Sequence, residues 1–204
     1  MTTFLAVLRS GGEYRPEHVT ALRDGIRHYL PGARFRCLSD VPVPGVETIP
    51  LRCSWPGWWA KLELFRPGLF FGRLVYIDLD SVVVGDLSDL AAYSGHFAML
   101  SDFFHPERPA SGVMAWEADC DEARRVWEAF MADTALAMRI RGGDQAFIRA
   151  VMGDGVARLQ DAVPGIVSYK VHCKEGVPPD ARLVCFHGRP RPWDTELWQP
   201  ARAA

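Results

Sequence analysis

Short apolar runs alternate along this chain with polar, glycine-rich or proline-rich breaks, and their spacing predicts the elements. Thr3 to Leu8 reads as a buried strand ending at the polar turn Arg9-Ser10-Gly11-Gly12. Pro16 then opens a helix in which Val19, Leu22, Ile26 and Leu30 recur at the helical period, and Pro31-Gly32 closes it. Phe35 to Leu38 is a second strand that stops at Ser39-Asp40, and Val46 to Ile49 is a short third within a proline-rich connection. Strand, helix and strand in succession, with a polar turn after each strand, predict an α/β sheet.

The aromatic segment Trp55 to Phe65, W-P-G-W-W-A-K-L-E-L-F, predicts a helix with a core stripe, and Lys61 lies in its otherwise apolar company. Leu74 to Leu87 follows as L-V-Y-I-D-L-D-S-V-V-V-G-D-L, an apolar run that meets two aspartates and leaves through a second apolar run. Alternate side chains of an extended strand share a face, so Asp78 and Asp80 are expected on one side, roughly 6–7 Å apart. Two carboxylates at a strand's carboxyl end suit a hard cation, and in an open parallel sheet that end is where ligands bind. Further strands are predicted over His96 to Leu100, Gly112 to Trp116 and Arg182 to Phe186. Amphipathic helices are predicted over Asp119 to Met131 and Asp144 to Met152, the second introduced by Gly142-Gly143.

Composition narrows the class. The 204 residues are 49% hydrophobic and 24% charged, which suits one folded domain over residues 1–204 with no repeat or linker. A formal net charge of −2 argues against a basic nucleic-acid-binding face. No apolar stretch reaches the length of a membrane span or a secretory leader. Five widely separated cysteines without a C-x-x-C pair favour reduced thiols and a cytoplasmic setting.

Three features then coincide: a strand ending in D-x-D, a glycine-led Asp144-Gln145 at a helix start, and a late strand running into His187-Gly188-Arg189-Pro190-Arg191-Pro192-Trp193. Together they resemble the GT-A-fold glycosyltransferases, most closely the retaining family 8 type that includes glycogenin and the lipooligosaccharide galactosyltransferases. That family ends its donor site with His, then Gly, then Lys-Pro-Trp; here the spacing is compressed and Arg191 replaces the lysine. Leu38-Ser39-Asp40 is similar to the family's L-T-D, and Lys61 to the lysine of its donor-side helix. Ser111-Gly112-Val113 is similar to its N-S-G-V, with Ala110 in place of the asparagine, and Asp144-Gln145 to its D-Q pair. The matches run from Leu5 to Trp193.

The resemblance implies an α/β fold of the GT-A (Rossmann-like) kind, a mixed, mostly parallel sheet flanked by helices. It implies sugar transfer, with retention, from a nucleoside-diphosphate sugar, UDP being the usual nucleotide. It also implies Mn²⁺ or Mg²⁺ held by Asp78, Asp80 and His187; two carboxylates and an imidazole are a mostly hard ligand set. Leu8, Ser10, Tyr14 and Asp40 would border base and ribose, with Tyr14 stacking on the base. Lys61, Gly188 and Arg191 would meet the diphosphate or donor sugar, Asp102 its hydroxyls, and Ser111 would also line the donor site. Asp144 and Gln145 would lie near the anomeric carbon. The acceptor, a sugar, a protein or a lipid-linked group, is left open. Trp55, Trp58 and Trp59 offer either a sugar-binding surface or core packing, and Trp116, Trp127 and Trp198 are expected to pack.

Two other readings fit parts of the chain. Y-I-D-L-D-S also resembles the first motif of haloacid-dehalogenase-type phosphohydrolases. Those enzymes place the motif near the start of their core domain and need a second acidic pair. Here a strand–helix–strand unit precedes it, and H-G-R-P-R-P-W would go unexplained. The second alternative is a nucleotide-sugar-binding domain without transfer, suggested by the short chain and by Ala110.

Overall fold

The computed structural model describes residues 2–198. Strands β1 (Thr3–Leu8), β2 (Arg34–Ser39), β3 (Glu47–Pro50) and β4 (Arg73–Ile77) lie parallel in the order β3-β2-β1-β4. After β5 (Ser81–Val83), β6 (Ala98–Ser101), β7 (Pro109–Glu117) and β8 (Ala157–Arg158) extend this to a seven-stranded sheet, β3-β2-β1-β4-β7-β6-β8. Only β7 runs antiparallel to its neighbours. β5 itself joins β9 (Ile166–Ser168) and β10 (Leu183–Cys185) in a small sheet ordered β5-β10-β9. The helices are α1 (Pro16–Tyr29), α2 (Ser88–Ala92), α3 (Asp121–Ala132), α4 (Thr134–Ala137), α5 (Gly143–Met152) and α6 (Tyr169–His172). The expected mixed, mostly parallel sheet flanked by helices is what forms.

Strand alternation decides the layers. Phe4, Ala6 and Leu8 of β1 pack on Val19, Leu22 and Ile26 of α1, while Leu5 faces the opposite core. β4 divides in the same way, Val75 and Ile77 against Leu74 and Tyr76, and so does β7, Val113 and Ala115 against Met114 and Trp116. The second core is aromatic. Trp59 stacks on Phe130 of α3 at 5.8 Å, and Phe130 meets Phe147 of α5 edge-on at 5.3 Å. Gly57–Phe65 forms a 3-10 helix buried from Trp59 to Phe65. Glu63 is tolerated inside it because it accepts the N–H groups of Arg52 and Cys53 and pairs with Arg66.

The strand expected to carry both aspartates ends at Ile77. The Asp78 N–H still donates to Gly112 O at 2.8 Å, Leu79-Asp80 then turn, and the Phe186 N–H donates to Asp80 O at 2.9 Å. D-x-D is therefore the crossover between the two sheets, and its backbone is held from both. No helix among the described residues is long and apolar enough to cross a membrane, and the five cysteines are free.

Candidate active site

Lys61 is the buried centre of the site. The 3-10 helix carries its Nζ to 3.0 Å from Asp78 Oδ1 and 2.8 Å from Asp144 Oδ2. Ser111, buried on β7, donates to Asp144 Oδ2 at 3.0 Å. Tyr76, two residues before Asp78, donates its hydroxyl to Asp78 Oδ1. Burial alone would depress the Lys61 ammonium, but Asp144 and Asp78 outweigh it and hold the group charged. Burial pushes the Asp78 carboxyl up, Lys61 pulls it back, and Asp144 pushes it up again.

Asp80 has separate partners. Its Oδ2 accepts from Arg191 Nη1 at 2.5 Å and from the Tyr14 hydroxyl at 3.0 Å. Burial, with the Asp78 charge beside it, raises the Asp80 carboxyl to about 7 against the pull of Arg191. Arg191 pairs on its other side with Glu13. Tyr14 stands edge-on to Trp193 at 5.8 Å and lies under the Arg191 guanidinium. The side chain expected to stack on a base donates its hydroxyl to the second aspartate.

Asp78, Asp80, Asp102, Gln145 and His187 line one cleft of about 180 Å³. His187 Nε2 lies 2.7 Å from Ser168 Oγ, and its ring stacks on Phe103. Among the described residues no three His, Cys, Asp or Glu groups form a metal cluster, so the expected three-ligand set is not assembled. The carboxylate pair still fits a hard divalent ion. Asp78, Asp80 and Asp144 share two cations, Lys61 and Arg191, and all side-chain hydrogen bonds to Asp80 among the described residues use Oδ2. Surplus negative charge in a buried setting, with a carboxylate oxygen to spare, suits an oxygen-seeking cation.

The other expected residues divide. Ser10 donates through its N–H and its hydroxyl to Asp40, at 2.8 and 2.7 Å, which ties the ends of β1 and β2 together. Leu8 is fully buried in the α1 core, so its side chain cannot border a nucleotide. Asp102 Oδ1 accepts the N–H groups of Phe104 and His105, which shapes its loop while the residue lines the cleft. Gln145 reaches the cleft and accepts the Ser111 N–H at 3.3 Å. The Asp144 carboxylate instead lies buried against Lys61 and Ser111. Gly188 is exposed with φ 75°, a conformation open to glycine.

Trp55 and Trp59 belong to the aromatic core, whereas Trp58 is 63% exposed. Trp116 and Trp127 pack in that core as expected, and Trp198 sits against His18. Tyr76 and Glu13 are site residues that the sequence reading missed. Period-two spacing from Asp78 pointed to Tyr76; nothing local points to Glu13. A larger hollow of about 730 Å³, between α1, β5 and residues 196–198, contains none of the site residues.

No family model and no curated relative matches this chain. Solved structures do. The glycosyltransferase GlyE of Streptococcus pneumoniae superposes with a TM-score of 0.70 at 14% identity, over 94% of this chain and 56% of that one. The galactosyltransferase LgtC, in complex with donor and acceptor sugar analogs, gives 0.67 at 12% identity, over 96% of this chain and 90% of that one. The bifunctional WbbM gives 0.64 at 15% identity, over 96% and 47%. The chain thus spans about half the length of GlyE and WbbM and nearly all of LgtC. The phosphohydrolase alternative falls here, because D-x-D follows the fourth strand of this fold and not the start of a core domain. The chain has the GT-A glycosyltransferase fold, with the family 8 galactosyltransferase LgtC among its structural neighbours.

Proposed function

We propose that this chain transfers a sugar from a nucleoside-diphosphate sugar to an acceptor, with a divalent ion at Asp78 and Asp80. The observation that carries this is the crossover itself, which in a GT-A fold sets two carboxylates at one cleft, where with Asp144 they outnumber the cations Lys61 and Arg191. Bound there, Mn²⁺ or Mg²⁺ supplies charge neutralisation for a leaving diphosphate. UDP as the nucleotide and retention at the anomeric carbon follow from the family 8 resemblance.

The chain's own residues orient the rest. Tyr76 and Lys61 aim Asp78, and Tyr14 aims Asp80. Asp40, held by Ser10, is placed for the ribose, and Asp102 for sugar hydroxyls. Gln145 is the member of the D-Q pair that faces the substrate. Asp144 is a positioning residue, since its carboxylate is turned to Lys61 and Ser111. His187 lines the same cleft through a ring anchored on Ser168.

The test is a screen of nucleotide sugars with Mn²⁺, scored by released nucleoside diphosphate. One donor should turn over, hydrolysing slowly without acceptor, and metal removal by EDTA should cut the rate by about 10³-fold or more. The anomeric proton of the product, read by NMR, should report retention. Donor binding without release in the presence of any acceptor would favour the binding-domain alternative.

On the acceptor side, Trp58 is an exposed aromatic that lies against the start of the D-Q helix. Its indole packs on Gly143, where a Cβ would lie 2.6 Å from Trp58 Nε1, one residue before Asp144. Gly142 and Gly143 have φ 96° and 66°, so this pair both starts α5 and admits the ring. A flat aromatic face there suits a pyranose acceptor. Trp58→Ala should lower transfer to a saccharide about 10-fold while donor hydrolysis stays within about 2-fold. Equal loss of both rates would rule out this placement of the acceptor.

A further inference from the structure

A diphosphate entering this cleft needs cations, and the bases expected to meet it are engaged by carboxylates. Lys61 bridges Asp78 and Asp144, and Arg191 bridges Asp80 and Glu13. Arg189 pairs with Asp194 and Glu13, and Arg9 with Asp40. Lys170 differs from all of them. Among the described residues its ammonium makes no ion pair and no side-chain hydrogen bond, and it stands 3.4 Å from where a Cβ on Gly188 would lie.

That position is built by the surrounding structure. Tyr169 stacks on Phe186 at 4.3 Å, with the ring planes 15° apart. Ser168 caps α6 by accepting the Val171 N–H at 3.2 Å, and its hydroxyl lies 2.7 Å from His187 Nε2. His172 Nδ1 accepts the Ser168 N–H at 2.9 Å. The short helix is thereby fastened to Phe186-His187-Gly188, and Lys170 lies beside Gly188. The Lys170 charge is close enough to His187 to depress the imidazole's proton affinity, although burial is the larger cause of that depression. His187 lines the cleft that holds Asp78 and Asp80. Gly188, without a side chain, leaves the ammonium open to a ligand lying on the loop.

We propose that Lys170 is the cation that receives the donor's diphosphate, at the His187-Gly188 rim of the cleft. This rests on the nucleotide-sugar reading above and adds to it a residue outside the D-x-D and H-G-R-P-R-P-W segments. Lysine suits the role as a mobile point charge with three donors. His187, tied to Ser168, then positions the turn that carries it.

The experiment is calorimetric titration of UDP, inorganic pyrophosphate and uridine into the wild type, Lys170→Met and Lys170→Arg, with Mg²⁺ present and unfolding midpoints compared first. Lys170→Met should weaken UDP and pyrophosphate about 10- to 100-fold, and Lys170→Arg should recover most of that. Uridine should bind all three proteins alike. If Lys170→Met is less stable than the wild type, Lys170→Gln is held to the same result. Unchanged diphosphate affinity in the Met variant, or an equal loss for uridine, overturns the proposal. A wild type that binds UDP through Lys170 yet turns over no nucleotide sugar sinks the transferase reading alone. A wild type that binds neither UDP nor pyrophosphate sinks both.

Discussion

Asp80→Asn is expected to reduce metal-dependent release of nucleoside diphosphate by about 10³-fold or more and to abolish metal-dependent donor binding, while the chain stays folded. Asparagine keeps the size and one carbonyl oxygen but removes the charge. A single carboxylate, Asp78, already shared with Lys61 and Tyr76, is then left for the ion. Stability should move much less, within about 1 kcal/mol. The Asp80 carboxyl is raised to about 7 by burial and by Asp78, so stability is lost as pH rises from the ordinary carboxylate range to about 7, and the full cost stands above it. Losing that cost offsets losing the pair with Arg191. Donor binding measured with and without Mn²⁺, alongside urea unfolding, separates the two effects. An Asp80→Asn protein that keeps metal-dependent binding would falsify the carboxylate-pair site.

Lys61→Met is expected to act on stability as well as turnover. Nζ is the cation between Asp78 and Asp144, and the side chain is only 8% exposed. Removing one member of a buried ion cluster strands the others, at a cost of about 3–5 kcal/mol. Turnover should also be lost, because Asp78 loses its orientation. The deficit should depend on pH. Without Lys61 the Asp78 carboxyl rises further above its unfolded value, so the folded variant binds protons more readily than the unfolded chain. Its stability therefore falls as pH rises, and the gap from wild type narrows on going from pH 7 to pH 5. Urea unfolding at both values checks this. A pH-independent loss under about 1 kcal/mol would place Lys61 with ordinary surface pairs.

Sequence spacing carried far in the scaffold and less far in the site. Short apolar runs bounded by polar turns placed β1, β2, β4 and β7, and helical spacing placed α1, α3 and α5, because buried strands and one-sided helices impose those patterns locally. The short β8 and β9 and the four-residue α4 and α6 were not read, since two to four residues hold too little of either period to register. Leu8 shows the limit at one residue. Its place at the end of β1 was legible, but its side chain points into the α1 core.

What the sequence determined by itself was local: the order of the main elements, a carboxylate pair at a strand end, a glycine-led D-Q pair, and a late basic segment after a strand. Which charge meets which was decided by tertiary structure alone. Arg191 and Asp80 pair across 111 residues, and Ser111 reaches Asp144 across 33. Partners so distant are chosen by how sheets and loops pack, and no periodicity along the chain encodes that choice. Packing likewise turned D-x-D from a strand end into a crossover between sheets, aimed His187 at Ser168, and left Lys170 free of carboxylates among the described residues.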